Sequence, residues 1–161
     1  IVAAWTGLRF SDFTALKPQN IKNDIIEIKQ YKTKGKVIIP LHPTVDKILK
    51  KYDGKLPVSI SNQKFNKYIK DVAKDADLKS NVSKSITKGG VTVSKNYEKW
   101  ELVSSHTARR SFTTNLYKSG FPAISIMAIT GHKTEKAFLF VSFDSVAYIN
   151  TKVIKKRAID I

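Results

Sequence analysis

Apolar spacing changes twice along this chain, and those two changes bound what it can fold into. Residues 25 to 40 run IIEIKQY, KTKGK, VIIP. β-branched residues at period two lie on each side of a lysine- and glycine-rich turn, which predicts a β-hairpin with a basic tip. Everything around it is helical in spacing or irregular. Upstream, IVAAW is apolar with no preceding cap, like a helix cut before its start, and it predicts a larger parent protein. SDFTAL reads as a helix with Ser11 at its N-cap and Asp12 in its first turn, closed by Lys17-Pro18.

Downstream, PTVDKILKKY and NQKFNKYIKDVAKDADL return to a 3.6-residue period. Phe65, Ile69, Val72 and Ala76 fall on one face of the second. Residues 79 to 103 are rich in Ser, Lys, Gly and Asn, with VTV and WELV as candidate strands. They read as an irregular insertion or a second small hairpin. HTARRSFTTNLYKSG, AISIMAITG and TEKAFLFVSF are three helical segments, punctuated by Gly120-Phe121-Pro122 and by Gly131, and a basic helix is expected over 144 to 158. The expected fold is therefore mainly α with a small antiparallel β-sheet, an α+β domain spanning residues 1 to 161.

Charge narrows the partner. Lys and Arg number 29 against 13 Asp and Glu, a net +16. Nucleic acid is the polyanion that such a field suits best, because phosphate contacts release condensed counterions. An anionic membrane surface would also answer the charge, and a solvated lysine-rich surface is the bland alternative. No cysteine is present, so disulfides and thiolate metal sites are ruled out, and neither a metal nor a cofactor is expected. No apolar run approaches the roughly 20 residues of a membrane span and no leader is evident at Ile1. A cytoplasmic protein is expected.

Four stretches could carry chemistry. His106 and Arg109, three apart on a helix, share a face. They could grip one phosphate, the guanidinium as a fork and the imidazole as donor or proton carrier; a capping histidine beside a surface arginine is the structural alternative. Arg9 in TGLRFSD stands at a helix mouth, where it could face an anion or simply pair with Asp12. Lys32 enters the hairpin tip, competing with Lys34 and Lys36, and could equally be a solvated turn lysine. His132 follows Gly131 between two helices, pointing into a cleft or satisfied structurally.

Taken in order, TGLRFSD at Arg9, YKTKGKVIIPL at Lys32, SHTARRSF at His106 and Arg109, and ITGHKTEKA at His132 resemble the tyrosine recombinases, or phage-type integrases. The likeness covers nearly the whole chain, and its GHKTEKAFL wording is similar to integrases of bacterial mobile elements, whose workplace is the nucleoid. The resemblance implies a catalytic domain without its N-terminal DNA-clamping domain. It further implies metal-free transesterification on duplex DNA at attachment sites, carried out by several protomers self-associated in a synapse. Arg9, Arg109, His106 and His132 would hold the scissile phosphate and Lys32 would protonate the leaving 5′ hydroxyl. Asp12 would orient an arginine, while Lys34, Lys36, Arg110 and Lys133 would contact DNA.

One element of the pattern is missing. The family's nucleophilic tyrosine usually stands nine residues after the GH histidine, and nine after His132 is Val141, flanked by Phe140 and Ser142 with Phe143 beyond. Valine cannot form a phosphotyrosyl ester. Tyr148 could substitute only if the two extra helical turns, roughly 10 Å of rise, were looped back or delivered to a neighbouring subunit. Ser142 is a nominal nucleophile with no assigned base. The alternatives are a cleavage-deficient DNA-binding protein derived from an integrase and a type IB topoisomerase-like enzyme, which also requires a tyrosine.

Overall fold

The alternation read in residues 25 to 40 builds the central sheet of the computed structural model, which describes residues 1–143. Strands β2 (Ile25–Lys29) and β3 (Lys36–Pro40) pair antiparallel, with Ile26 opposite Ile39 and Ile28 opposite Val37. These four side chains face inward and are buried, each worth roughly 1.5–3 kcal/mol in transfer from water. A two-residue strand, β1 (Ile21–Lys22), adds to the outer edge of β2 and was not anticipated from sequence. Leu8, Leu16, Val45 and Leu49 complete the main core.

Helix α1 (Val2–Thr6) ends at Gly7, whose φ of 66° lies in the left-handed region. The next helix, α2 (Phe10–Phe13), corrects the expected cap: Arg9 occupies the N-cap with extended backbone, and Ser11 lies inside the first turn. Its hydroxyl turns to Asp12 Oδ1 at 3.4 Å and caps nothing. Helix α3 (Pro43–Lys51) begins at His42, whose Nδ1 accepts from the Thr44 amide at 3.2 Å and whose ring stacks on Trp5 at 3.8 Å.

Helix α4 (Asn62–Asp75) turns most of the expected face inward: Phe65, Ile69 and Ala76 are half-buried, and Ile69 packs with Trp100 against Ala73 and Val103. Val72 is the exception at 59% exposed, and Ala73 takes the fully buried place beside it. The polar stretch that follows forms a hairpin, β4 (Asn81–Lys88) and β5 (Val91–Glu98), longer than its VTV core suggested. WELV is not a strand: Lys99–Leu102 is a 3-10 turn. The three final segments are helical as expected, α5 (Ser105–Lys118), α6 (Ala123–Thr130) and α7 (Glu135–Phe143). The helix expected over 144 to 158, and Tyr148 with it, lies outside the described residues.

Helix α5 buries Thr107, Ser111, Thr113 and Thr114 in place of large apolar side chains. Small residues on α5 and Ala3, Ala4 and Thr6 on α1 let the two helices approach closely. That approach brings the end of α1 within reach of the one long side chain α5 buries, Arg109.

Candidate functional site

Arg109 is 1% exposed, and the ends of two other helices hold it. Its Nη1 donates to Gly7 O at 2.7 Å, and its Nη2 donates to Thr130 O at 2.7 Å and meets His132 Nε2 at 3.1 Å. Three of a guanidinium's five N–H donors thus have partners among the described residues, leaving two for a ligand. Gly7 and Gly131, both left-handed, close α1 and α6 so that these carbonyls and His132 converge.

His132 can be assigned a tautomer. The Thr130 hydroxyl donates to Ile126 O at 2.6 Å and lies 2.7 Å from His132 Nδ1. With the hydroxyl proton directed to the carbonyl, Nδ1 must carry the ring proton and donate to Thr130. Nε2 then presents a lone pair to Arg109. The ring is neutral at pH 7, since its pKa is lowered to about 4 by desolvation first and by Arg109, Arg9 and His106 next.

A second anchor was not singled out from the sequence. Gln30 extends the inward positions of β2 beyond Ile26 and Ile28 and is fully buried. Its Oε1 accepts from Arg9 Nη1 at 3.0 Å and from Thr33 Oγ1 at 2.6 Å, while its Nε2 donates to Thr130 O at 2.9 Å. One buried amide therefore joins Arg9, the hairpin and the end of α6. The signal was legible: an amide where the alternation demands an apolar side chain needs polar partners inside.

Asp12, 1% exposed, accepts from the Tyr31 amide at 2.9 Å through Oδ1 and pairs with Arg9 at 3.9 Å through Oδ2. It is the carboxylate that sets Arg9 against the hairpin. His106 lies on the first turn of α5, open to solvent on one side. Its pKa is lowered, by desolvation first and then by Arg109, Arg110, Arg9 and Lys32. Of the three hairpin lysines, Lys34 sits over the Tyr31 ring at 4.6 Å and Lys36 pairs with Glu27 at 2.8 Å, while Lys32 is exposed at the entrance to the turn.

Arg110 is half-buried beside this group and Lys133 is exposed next to His132. The Arg109 pKa is lowered to about 9, through desolvation first and Arg9 next, with Asp12 opposing, so Arg109 stays charged at pH 7. Arg9, Arg109 and His132 thus lie together around the buried Gln30 and Asp12, and the arginines lower the pKa of His132 and of His106 nearby. Such a field is relieved by a bound anion. Among the described residues no group of His, Asp or Glu could hold a metal ion, and no helix is long and apolar enough to cross a membrane.

On α7, Val141 is half-buried and Phe140 is 71% exposed. Ser142 is buried, and its carbonyl accepts from Thr114 Oγ1 at 2.5 Å. Its own hydroxyl is buried without a partner among the described residues.

Helices and hairpin surrounding such a cluster are the fold of tyrosine recombinase catalytic domains. The chain superposes on XerA recombinase with a TM-score of 0.63 at 18% identity, covering 99% of this chain and 55% of that one. On the Tn1549 transposon integrase in complex with circular intermediate DNA the values are 0.61, 15%, 99% and 57%. On the XerH site-specific recombinase bound to palindromic difH substrate they are 0.60, 16%, 98% and 43%. This chain spans about half the length of these proteins. Residues 2–137 match the phage integrase family, and the chain belongs to that family. By sequence, no curated protein matches it.

Proposed function

We propose that this domain is built for site-specific DNA recombination, cleaving and rejoining strands of duplex DNA through a 3′-phosphotyrosyl intermediate within a synapse of several protomers. The observation that carries the reading is Arg109, a buried guanidinium held rigid by two carbonyls and His132 with two donors to spare. Arg9 and Arg109 grip the scissile phosphate and neutralise the charge that develops as phosphorus becomes five-coordinate. His132 positions Arg109, and Asp12 positions Arg9. A tyrosine hydroxyl attacks phosphorus, the bond to the 5′ oxygen breaks, and Lys32 at the hairpin tip supplies that oxygen with a proton. His106 assists proton transfer. Rejoining reverses each step. Lys34, Lys36, Arg110 and Lys133 contact the flanking backbone.

A second reading rests on Val141. The family's nucleophile position holds a side chain without a hydroxyl, which favours a descendant that occupies recombination sites and does not cut them. One experiment separates the two. The protein is incubated with nicked suicide duplexes carrying candidate attachment sequences, and covalent adducts are resolved on denaturing gels and mapped. An adduct on Tyr148 establishes recombination through a relocated nucleophile. Adducts in Val141→Tyr alone establish a working pocket that has lost its nucleophile. Neither adduct nor salt-sensitive DNA binding in either protein would sink both readings.

A further inference from the structure

The β4–β5 hairpin stands apart from both cores. From Ser83 to Asn96 every position whose exposure is described faces solvent, on both sides of the ribbon. Strands of this length rise about 3.4 Å per residue, so the ribbon projects roughly 20 Å. Its base is fixed: Lys99 N donates to Ser80 O and Trp100 N to Leu78 O, both at 2.9 Å. Trp100 packs with Ala73 and Val103. A rigid foot under an uncovered ribbon is costly unless something covers it.

Register divides the ribbon into two faces. One carries Asn81, Ser83, Ser85 and Thr87 against Glu98, Asn96, Ser94 and Thr92. Ser85 meets Ser94 at 2.8 Å and Thr87 meets Thr92 at 3.0 Å, pinning the register with hydroxyl rungs. On the other face Lys84 stands directly opposite Lys95, with Ile86 and Val93 paired beyond them. Two ammonium groups across one rung repel each other, and Lys95 is only partly compensated by lying over the Tyr97 ring at 5.2 Å. Residues 81 to 97 contain three lysines and no acidic residue.

We propose that this ribbon is a second DNA-binding element, entering the major groove beside the bound phosphate and placing Lys84 and Lys95 on backbone phosphates. A two-stranded ribbon has the width that the major groove admits. A phosphate between the opposed lysines converts their repulsion into two charge-assisted contacts. The foot of the ribbon leads through Val103 into α5, where His106 stands on the first turn, so the ribbon is tied to the candidate phosphate site and meets the duplex that flanks it. This inference rests on the DNA reading above and extends it to flanking duplex.

The test measures binding of the full chain to a fluorescein-labelled 40-base-pair duplex of arbitrary sequence by anisotropy across a salt series. Wild type, Lys84→Gln/Lys95→Gln and Arg109→Gln are compared, with circular dichroism reporting on folding. Each lost phosphate contact reduces the slope of log affinity against log salt by about 0.9. The double lysine variant is expected to give a slope shallower by about 1.8 and on the order of tenfold weaker binding at 0.1 M salt. Relief of the Lys84–Lys95 repulsion leaves it at least as stable as wild type. Wild-type slope and affinity in that variant, alongside weakened binding by Arg109→Gln, would overturn the ribbon assignment and keep the phosphate site. A change in sedimentation mass without a change in DNA affinity would also overturn it, pointing to a second copy of the chain. A wild-type chain that binds no duplex overturns both inferences.

Discussion

Replacing Gly131 by alanine tests the cradle that links both arginines. At Gly131, with φ of 72°, an added Cβ would overlap Gln30 Oε1 and lie 2.8 Å from its Cδ. Left-handed backbone costs a non-glycine residue about 1–2 kcal/mol. Most of the loss comes from displacing Gln30, which is fully buried and has nowhere to move. Losing its bond from Arg9 costs about 1.5–3 kcal/mol, as for a charged donor, and losing its bond to Thr130 O about 1 kcal/mol. Together these predict a destabilisation of about 4–6 kcal/mol. Gly120 supplies the control: its φ is 85°, and a Cβ there meets nothing within 4 Å. Gly120→Ala should cost only the backbone strain. In urea titrations followed by tryptophan fluorescence, with an m-value of about 2 kcal/mol per M, Gly131→Ala should lower the midpoint by about 2–3 M. Gly120→Ala should lower it by less than about 1 M. Equal midpoints for the two variants would refute the claim that Gly131 exists to make room for the Gln30 amide.

Two further outcomes follow from the same cluster. Arg109→Ala should weaken phosphate binding and slow any cleavage by several powers of ten, the loss expected for a preorganised electrostatic group. Lys79→Ala, which removes only an exposed pair with Asp77, should change little; comparable losses on DNA-binding and cleavage assays would count against the site. The folded pKa of His132, about 4, lies below its ordinary 6.5. Between those values the unfolded chain binds a proton that the folded chain does not, so thermal stability should decline as pH falls through that window. His132→Gln should flatten the decline. A bound phosphate raises the same pKa, so wild-type DNA binding should take up protons at about pH 5, measurable as buffer-dependent heat.

How far the sequence could be read depended on whether a residue's surroundings were apolar and periodic. The β2–β3 hairpin was legible because Ile26, Ile28, Val37 and Ile39 alternate against a buried face. The Arg109 helix was legible from its motif. Strands β4 and β5 were half-seen, since a ribbon with two exposed faces has no reason to alternate. In helix α4 the apolar period placed Phe65, Ile69 and Ala76 correctly, and only Val72 misled, because the Ala73 methyl is buried where Val72 offered the stronger apolar signal. Ser11 lost the cap to Arg9 because the helix starts at Phe10, which places Ser11 inside the first turn. Gln30 was overlooked because its partners, Arg9 and Thr130, lie 21 and 100 residues away, and no local pattern announces a bond of that range.

The Arg109 fork has a consequence for how this lineage can change. Its two carbonyl partners belong to residues 7 and 130, so the guanidinium fastens the first helix of the domain to the sixth. A chain released from selection for strand cleavage could exchange the residue at 141, yet replacing Arg109 would take the guanidinium donor from the Gly7 carbonyl, leave the Thr130 carbonyl to Gln30 alone, and loosen the packing around α5. The candidate phosphate site is thus held by the demands of folding as well as by those of the proposed chemistry. In such a lineage the site would outlive the proposed reaction, and a nucleophile that fastens nothing would be the first part to go.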